Sequence, residues 1–231
     1  MNDWIDYYDS THTIYASKLH RNVHFEIVAA DIISYIPSPD SVVLDYACGE
    51  ALSAPKVANA CARLILAEPA PGVRGRLADR FAPNAKISVR SLDDLKHMEA
   101  GSVDLAIMNS CSQYMSSQEL DTSFQVVRRL LKPDGRLVIG DVLQVNEGTL
   151  SDVMALLKFA AQHGFLKDAM LSLVRTALSD YRHVRSKVGL QRYDEADIFR
   201  RLSSAGLFAA RETINIGHNQ SRMTFVARPK D

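Results

Sequence analysis

Residues 42–52 read Val-Val-Leu-Asp-Tyr-Ala-Cys-Gly-Glu-Ala-Leu, and they carry the pattern from which the fold is predicted. An apolar run ends in Asp45, small residues follow, and a helical pattern begins near Leu52. Small residues let a ligand approach the backbone, and the N-terminus of a helix presents free N–H groups. The stretch therefore predicts a strand, a ligand-binding loop and a helix in succession.

The same alternation of short apolar runs and helical patterns continues along the chain. The candidate strands are residues 41–46, 63–68, 86–90, 102–109 and 135–142, and helical patterns occupy residues 52–62, 72–82, 92–98 and 116–131. Nearly continuous apolar runs are typical of strands that are buried on both faces of a parallel sheet. The pattern predicts a doubly wound α/β sheet that binds its ligand at the carboxyl ends of the strands.

The segments outside this core have a different character. Residues 3–36 are predicted to be largely helical, and residues 149–188 to form two or more helices without a strand between them. The chain ends in two predicted strands with a turn at residues 217–220, which places His218, Asn219 and Gln220 on the ligand side if the first strand is parallel to the core. We expect a single domain over residues 1–231, composed of a helical lid (1–38), a core (40–142), a helical cap (143–193), and a last helix with a closing hairpin (194–231).

Composition limits the classes of partner. Of 231 residues, 47% are apolar, and the 27 basic side chains equal the 27 acidic ones, so no overall field attracts nucleic acid or an anionic membrane. Without a signal-like N-terminus or a membrane-spanning run, we expect a cytoplasmic protein. The three cysteines match no zinc or disulfide pattern and suggest buried thiols. His20 and His24 share a helix face as a metal pair can, although a solvated face is the favoured interpretation, and no metal is expected.

The loop within residues 42–52 also restricts the kind of ligand that can bind there. It has one glycine, whereas a dinucleotide fingerprint requires Gly-x-Gly-x-x-Gly. Asp45 and Glu50 lie beside it, and carboxylates suit a ligand with positive charge or with hydroxyl and amino donors better than a pyrophosphate. Glu68 follows Gly49 by 19 residues, the spacing at which an acidic residue holds ribose hydroxyls in nucleotide-binding units.

With these residues in view, the chain resembles a class I S-adenosylmethionine-dependent methyltransferase of the type 11 or 12 small-molecule kind. Residues 43–52 resemble the family's first motif, a hydrophobic pair followed by Asp or Glu, x, Gly, x, Gly, x, Gly, with Ala47 and Ala51 at the first and third glycines. Residues 131–142 resemble the Leu-x-Pro-Gly-Gly turn that leads into the fifth strand. Residues 108–115 are similar to an Asn-Ser-x-x-Gln-Tyr segment in methylation domains of non-ribosomal peptide synthetases.

The resemblance implies a Rossmann-like seven-stranded sheet, parallel except for an antiparallel last strand, with N-terminal helices and a helical cap inserted after strand five. It implies S-adenosylmethionine as cofactor and S-adenosylhomocysteine as product, with Glu68 on the ribose and the adenine amino group near Ser91 or Asp93. The cofactor-binding residues implied in this way are Asp45, Ala47, Cys48, Gly49, Glu68, Pro69, Ser91, Leu92, Asn109, Ser110 and Gln113.

Catalytic residues are harder to predict, because methyl transfer is an in-line displacement that depends mainly on positioning. The candidates are Tyr8 and His12 in the N-terminal segment, which could equally form a packing helix, and Tyr114 after strand four. Asp141 and His218 are further candidates, with turn capping and solvation as their alternatives. The basic run at residues 175–192 predicts either an anionic acceptor or a solvated helix face.

We therefore expect methyl transfer to a small-molecule acceptor, without nucleic-acid or membrane partners and with the oligomeric state open. Two alternatives remain at this point. One is a module that binds S-adenosylmethionine or S-adenosylhomocysteine without turnover. The other, disfavoured by the balanced charge, is a nucleic-acid methyltransferase.

Overall fold

The computed structural model describes residues 15–178 and 190–230 of the chain. Its seven-stranded sheet has the order β3-β2-β1-β4-β5-β7-β6. The strands are β1 (Val42–Tyr46), β2 (Arg63–Ala67), β3 (Ile87–Arg90), β4 (Val103–Asn109), β5 (Leu131–Val142), β6 (Leu207–Glu212) and β7 (Met223–Pro229). β1 to β5 pair in parallel, whereas β7 lies antiparallel between β5 and β6. The predicted Rossmann-like sheet is confirmed.

Apart from the first helix, which precedes β1, the helices lie in the connections between strands, as the alternation predicts. They are α1 (Lys18–Tyr35), α2 (Ala54–Asn59), α3 (Pro71–Phe81), α4 (Ser117–Leu130), α5 (Thr149–His163), α6 (Leu166–Leu178) and α7 (Glu195–Ser204). α5 and α6 form the predicted cap after β5. Among the described residues, no helix is long and apolar enough to cross a membrane.

Two local predictions are wrong. The helix expected within residues 92–98 is a single 3-10 turn, Asp94–His97. Ser91 and Asp94 close this turn on each other, since the Ser91 N–H donates to Asp94 Oδ2 (2.8 Å) and the Asp94 N–H donates to Ser91 Oγ (3.1 Å). β5 begins at Leu131 rather than at residue 135, because Leu131 already pairs with Val103 before the register shifts.

Hydrophobic layers cover both faces of the sheet. Val43 and Leu44 are adjacent and fully buried, and their side chains enter different core clusters, as the alternation of side chains along a strand requires. One cluster packs α4 and α7 against the sheet, and the other packs α1, α2 and α3 against the opposite face. Both faces of the central strands are thus covered, and the carboxyl ends of the strands remain as the place for a ligand.

α1 is fixed across this edge by polar contacts at several points. Arg21 forms an ion pair with Glu50 of the β1–α2 loop, and Glu26 accepts a hydrogen bond from Ser53 Oγ at 3.0 Å. Near the other end of α1, Asp31 Oδ2 accepts the N–H of Gly217 at 2.8 Å. α1 therefore links the loop after β1 to the connection between β6 and β7.

Candidate active site

A cavity of about 660 Å³ lies at the carboxyl ends of β1, β2, β4 and β5. α1 and the segment before it form one wall, and the β6–β7 connection contributes His218 and Arg222. The structure brings together nine of the residues predicted from sequence as lining residues of this cavity. They are Asp45, Ala47, Cys48, Gly49, Glu68, Asn109, Ser110, Gln113 and Tyr114.

The loop after β1 is shaped by left-handed backbone at three positions. Ala47, Gly49 and Ala51 have φ angles of 56°, 58° and 41°. Alanine rarely adopts this conformation, because its Cβ crowds the following carbonyl oxygen. The loop thus retains the backbone of a glycine-rich turn although alanine occupies two of the three motif positions.

Glu68 connects this loop to the end of β2 through hydrogen bonds. Its Oε2 accepts the N–H of Gly49 at 2.8 Å, and its Oε1 accepts the N–H of Ala70 at 2.9 Å. The side chain is 3% exposed, yet it lines the cavity. A buried carboxylate is thereby held at the position that the sequence predicts for a ribose contact.

A second carboxyl group lies close to Glu68. Burial first, and then the charge of Glu68, raise the pKa of Asp45 to about 7. Burial also raises the pKa of the Cys48 thiol, which is therefore an uncharged side chain of the wall. This end of the cavity carries excess negative charge and favours a ligand that brings positive charge or hydrogen-bond donors.

The carboxyl ends of β4 and β5 meet at a polar network. Ser110 Oγ donates to Asp141 Oδ2 at 2.7 Å, and the Asp141 N–H donates to Asn215 Oδ1 at 3.0 Å. Burial raises the pKa of Asp141, against the opposing effect of Arg222, whose nearest guanidinium nitrogen is 3.9 Å from Oδ1. Asp141, one of the candidates from the sequence, also lines the cavity.

Two amide oxygens in the same wall lack a partner. Asn109 Oδ1 and Gln113 Oε1 are buried, and neither accepts a hydrogen bond from the described part of the chain. Leaving a buried acceptor unpaired costs about 1–3 kcal/mol, so such atoms call for an explanation, and a ligand that donates to them supplies one.

Three of the predicted cofactor residues do not line the cavity. The carbonyl of Pro69 accepts a hydrogen bond from Arg74, Ser91 closes the 3-10 turn after β3, and Leu92 packs against the core. Asp93, the alternative adenine contact, pairs with Lys96 at the surface. Tyr8 and His12 lie outside the described residues, so their roles stay predictions.

His20 and His24 lie in a different environment from the one predicted. The expected solvated face is wrong, because both residues line the cavity and His20 is 7% exposed. The signal was their i, i+4 spacing, which places them on one helix face. Residues distant in sequence bury that face. They are Phe159 and Phe165 of the cap and His218 of the β6–β7 connection.

These histidines are uncharged near neutral pH. Burial lowers the pKa of His20 and of His218 to about 4, and burial together with the neighbouring histidines lowers that of His24 to about 3. Within residues 15–178 and 190–230, no group of three or more His, Cys, Asp and Glu side chains is arranged to hold a metal ion.

The basic run contributes little to the cavity where the structure describes it. Arg175 is exposed on α6, and Arg192 donates to the carbonyl oxygens of Gln144 and Glu147. Asp180, Arg182, Arg185 and Lys187 lie outside the described residues. Asn219 and Gln220 make structural contacts, since Asn219 Nδ2 donates to Asp152 and Gln220 Nε2 donates to Asn215 O, whereas His218 faces the cavity.

Comparison with known proteins agrees with this architecture. Residues 43–135 match the model of a family described as "Methyltransferase domain". No curated protein matches the chain in sequence.

Solved structures share the fold at low sequence identity. A protein from Pyrococcus horikoshii OT3 has a TM-score of 0.62 at 14% identity, with 97% of this chain and 99% of that chain covered. The Burkholderia thailandensis 1,6-didemethyltoxoflavin-N1-methyltransferase, solved with 1,6-didemethyltoxoflavin and S-adenosylhomocysteine, has a TM-score of 0.54 at 16% identity and 90% and 79% coverage. PigF, solved with S-adenosylhomocysteine, has a TM-score of 0.60 at 14% identity and 90% and 57% coverage.

The sheet order, the antiparallel β7 and the loop between β1 and α2 define a Rossmann-like fold with its site at the carboxyl ends of the strands. This chain contains a methyltransferase domain over residues 43–135 and has the fold of class I S-adenosylmethionine-dependent methyltransferases. It is an enzyme, and S-adenosylmethionine is its cofactor.

Proposed function

We propose that this methyltransferase acts on a small-molecule acceptor, which binds in the same cavity as the cofactor, on the side of α1 and His218. The observation that carries the proposal is the cavity itself. Its roughly 660 Å³ include the loop of Gly49, the carboxylate of Glu68 and a separate wall of imidazole rings. Pockets of about 300–1,000 Å³ are usual for small-molecule sites.

The residues present fit the cofactor by their chemistry. Glu68 and Asp45 suit ribose hydroxyls and a nearby positive charge, and a cation beside Asp45 would bring its pKa down from about 7. The unpaired oxygens Asn109 Oδ1 and Gln113 Oε1 suit N–H donors, such as the ammonium group of the methionine moiety. Bound there, the cofactor supplies an activated methyl group on a sulfonium centre.

The chain's own contribution is mainly to orient the two reactants. The Ser110–Asp141 pair fixes the ends of β4 and β5, where the cofactor and acceptor sides of the cavity meet. Tyr114 lines the cavity beside Gln113 and stays the described candidate for a catalytic contact. α1, linked to the loop by Arg21 and Glu50, limits access of water to this region.

A small acceptor suits the site better than a nucleic acid. The Lys and Arg side chains of the whole chain are balanced by an equal number of Asp and Glu, whereas nucleic-acid binding depends on a basic surface. α1 and the β6–β7 connection also enclose the acceptor side of the cavity with aromatic side chains such as Tyr15, Phe25 and His218.

The test is calorimetric titration of the purified protein with S-adenosylmethionine, S-adenosylhomocysteine and NAD. We expect the first two to bind and NAD not to bind. Glu68→Ala should weaken binding at least tenfold, because it removes the acceptor of the Gly49 N–H, and Glu68→Gln, which keeps one acceptor oxygen, should weaken it less. Asp134→Ala removes an exposed carboxylate far from the cavity and is the matched control.

The acceptor class is tested by screening uncharged, anionic and polynucleotide compounds for S-adenosylhomocysteine formation. Turnover with compounds small enough for the cavity would support the proposal. Turnover with RNA or DNA alone would contradict it. Equal binding of the cofactor by the Glu68→Ala variant would contradict the placement of the cofactor at this loop.

A further inference from the structure

We infer that His24 and His218 form the acceptor end of the cavity, where they bind an uncharged planar acceptor through its hydroxyl or N–H group, and that His218 accepts the proton released on methylation. The inference deepens the proposed function and rests on it. It assigns the acceptor side a substrate class and a catalytic residue.

The geometry of the rings defines this end. The centroids of His24 and His218 lie 6.1 Å apart with an interplanar angle of 79°, and those of His20 and His218 lie 6.3 Å apart at 83°. The three imidazoles and the aromatic rings of Tyr15 and Phe25 all line the cavity. Such a wall offers both ring faces and ring nitrogens, which suit a flat molecule with one polar group.

Two phenylalanines of the cap pack against the imidazoles of His218 and His20. Phe159 of α5 stacks on His218 with a centroid distance of 4.2 Å and an angle of 13°, and Phe165 stacks on His20 at 4.9 Å and 12°. Neither phenylalanine lines the cavity, and both are nearly fully buried. The orientations of His20 and His218 are therefore fixed by packing before an acceptor binds.

Hydrogen bonding separates His20 from the other two. His20 Nδ1 accepts the N–H of Ala16 at 3.1 Å, so the neutral ring carries its proton on Nε2 and can only donate towards the cavity. Among the described residues, the rings of His24 and His218 have no hydrogen-bond partner. Each neutral ring thus retains one N–H donor and one nitrogen acceptor for a ligand.

The charges around His218 favour an uncharged acceptor. His20 and His24 face it from α1, Asp152 and His163 from α5, and Arg222 from the β6–β7 connection. Arg222 is already engaged, with its guanidinium 2.7 Å from Asp152 Oδ1 and 3.9 Å from Asp141 Oδ1. Among the described residues, an anionic acceptor would find no uncommitted cation beside His218 and would lose its hydration there without compensation.

His218 is the better proton acceptor of the two free rings. The Asp152 carboxylate favours protonation of His218, against the opposing effects of His20, Arg222 and His163. The groups that act on His24 are His218 and His20, and both disfavour its protonation. In the step, the acceptor hydroxyl or N–H gives its proton to the unprotonated nitrogen of His218. The lone pair of that oxygen or nitrogen forms the bond to the methyl carbon. The carbon–sulfur bond breaks with its electron pair moving to sulfur, and the imidazolium later releases the proton to water.

The experiment compares two probes on the full chain saturated with S-adenosylhomocysteine. 2-Naphthol is planar and uncharged, and 6-hydroxy-2-naphthoate adds a carboxylate to the same rings. We expect 2-naphthol to bind at least tenfold more tightly in calorimetry and to be methylated when S-adenosylmethionine replaces the product.

Two variants and a control test the histidines. Glutamine keeps hydrogen-bonding capacity without accepting a proton, so His218→Gln should lower kcat by roughly 100-fold with a much smaller change in KM. His24→Gln should raise the Kd for 2-naphthol while changing kcat less. His97→Gln, on the exposed 3-10 turn, should match the wild type in both.

Binding of S-adenosylhomocysteine to each variant is measured first and tests the proposed function separately. The acceptor inference is overturned if a protein that binds this product binds neither probe, binds the naphthoate as tightly as the naphthol, or keeps the wild-type kcat in His218→Gln. Any of these results leaves the cofactor assignment standing.

Discussion

Ser110 and Asp141 face each other across the carboxyl ends of β4 and β5, and both have left-handed backbone, with φ angles of 55° and 57°. Ser110 Oγ donates to Asp141 Oδ2 at 2.7 Å. Strained backbone at two facing positions persists only where the surroundings stabilise it, and such positions concentrate at functional sites. The pair therefore stabilises the strained ends of two strands at the edge of the active site.

Two substitutions of Ser110 should distinguish the effect of backbone strain on stability from the effect of the hydrogen bond. Ser110→Ala keeps the left-handed backbone and loses the bond to a carboxylate, so the free energy of unfolding should fall by about 1–2 kcal/mol. Ser110→Gly loses the same bond but relieves about 1 kcal/mol of backbone strain, and it should be the more stable of the two variants. Urea unfolding measures both. An alanine variant as stable as the glycine variant would show that the backbone here is not strained.

The loop after β1 should be stabilised by restoring glycine. Ala47→Gly relieves left-handed backbone strain of about 1–2 kcal/mol. Glycine also raises the entropy of the unfolded chain, which opposes folding by about 0.4–1 kcal/mol, so the free energy of unfolding should rise by roughly 0.5–1 kcal/mol. Ala58→Gly, at a fully buried position in the last turn of α2, should instead be destabilising. Thermal and urea unfolding give the comparison. A destabilised Ala47→Gly protein would contradict the strained loop.

Acid should destabilise the fold through His24. Its pKa is about 3 when folded and about 6.5 in the reference state, so its stabilising contribution is fully present above pH 6.5 and is lost as the pH falls towards 3. The loss amounts to at most about 1.4 kcal/mol per pH unit for one group. Asp45 acts in the opposite direction, because burial and Glu68 raise its pKa to about 7 and its ionisation then disfavours the folded state as the pH rises.

His24→Gln isolates the histidine from the other titrating groups. Urea unfolding at pH 7.5, 6.0 and 5.0 should show a shallower loss of stability in this variant than in the wild type. His97→Gln changes an exposed imidazole and should leave the slope unchanged. Parallel curves for the wild type and His24→Gln would mean that His24 does not resist protonation in the folded protein.

The sheet and the loop after β1 were predictable because they depend on local pattern. Buried parallel strands require continuous apolar runs such as residues 63–67 and 103–109, and the parallel connections fix which strand ends share an edge. Asp45, Gly49 and Glu68 follow directly from that rule. The same local reasoning failed at residues 94–97, where the paired bonds of Ser91 and Asp94 stabilise a short turn instead of a helix.

The acceptor side could not be predicted because its members are distant in sequence. His20 and His24 show helical spacing, but the residues around them in the sequence do not predict the contacts with Phe159, Phe165 and His218. Their burial depends on how α5 and α6 dock on α1, which is a property of tertiary packing. Burial by that packing in turn lowers their pKa values and decides their chemistry.

Gly140 should be required for the position of Asn109. A Cβ added at Gly140 would lie 2.5 Å from Asn109 Oδ1 and 3.0 Å from Cβ and Cδ1 of the buried Ile216. Gly140→Ala therefore has to displace the Asn109 amide, whose oxygen is the unpaired acceptor in the cavity wall. We expect a stability loss of about 1–3 kcal/mol from overpacking, together with a severalfold weaker affinity for S-adenosylmethionine.

Gly75→Ala is the matched control, because a Cβ at that position of α3 meets nothing within 4 Å and alanine favours a helix. The double variant Asn109→Ala with Gly140→Ala removes the closer of the two clashes and should recover part of the stability without recovering the affinity. Recovery of both would show that the Asn109 amide takes no part in binding the cofactor. Wild-type affinity in Gly140→Ala alone would place the cofactor's donor groups away from Asn109, with Gln113 as the remaining unpaired acceptor in that wall among the described residues.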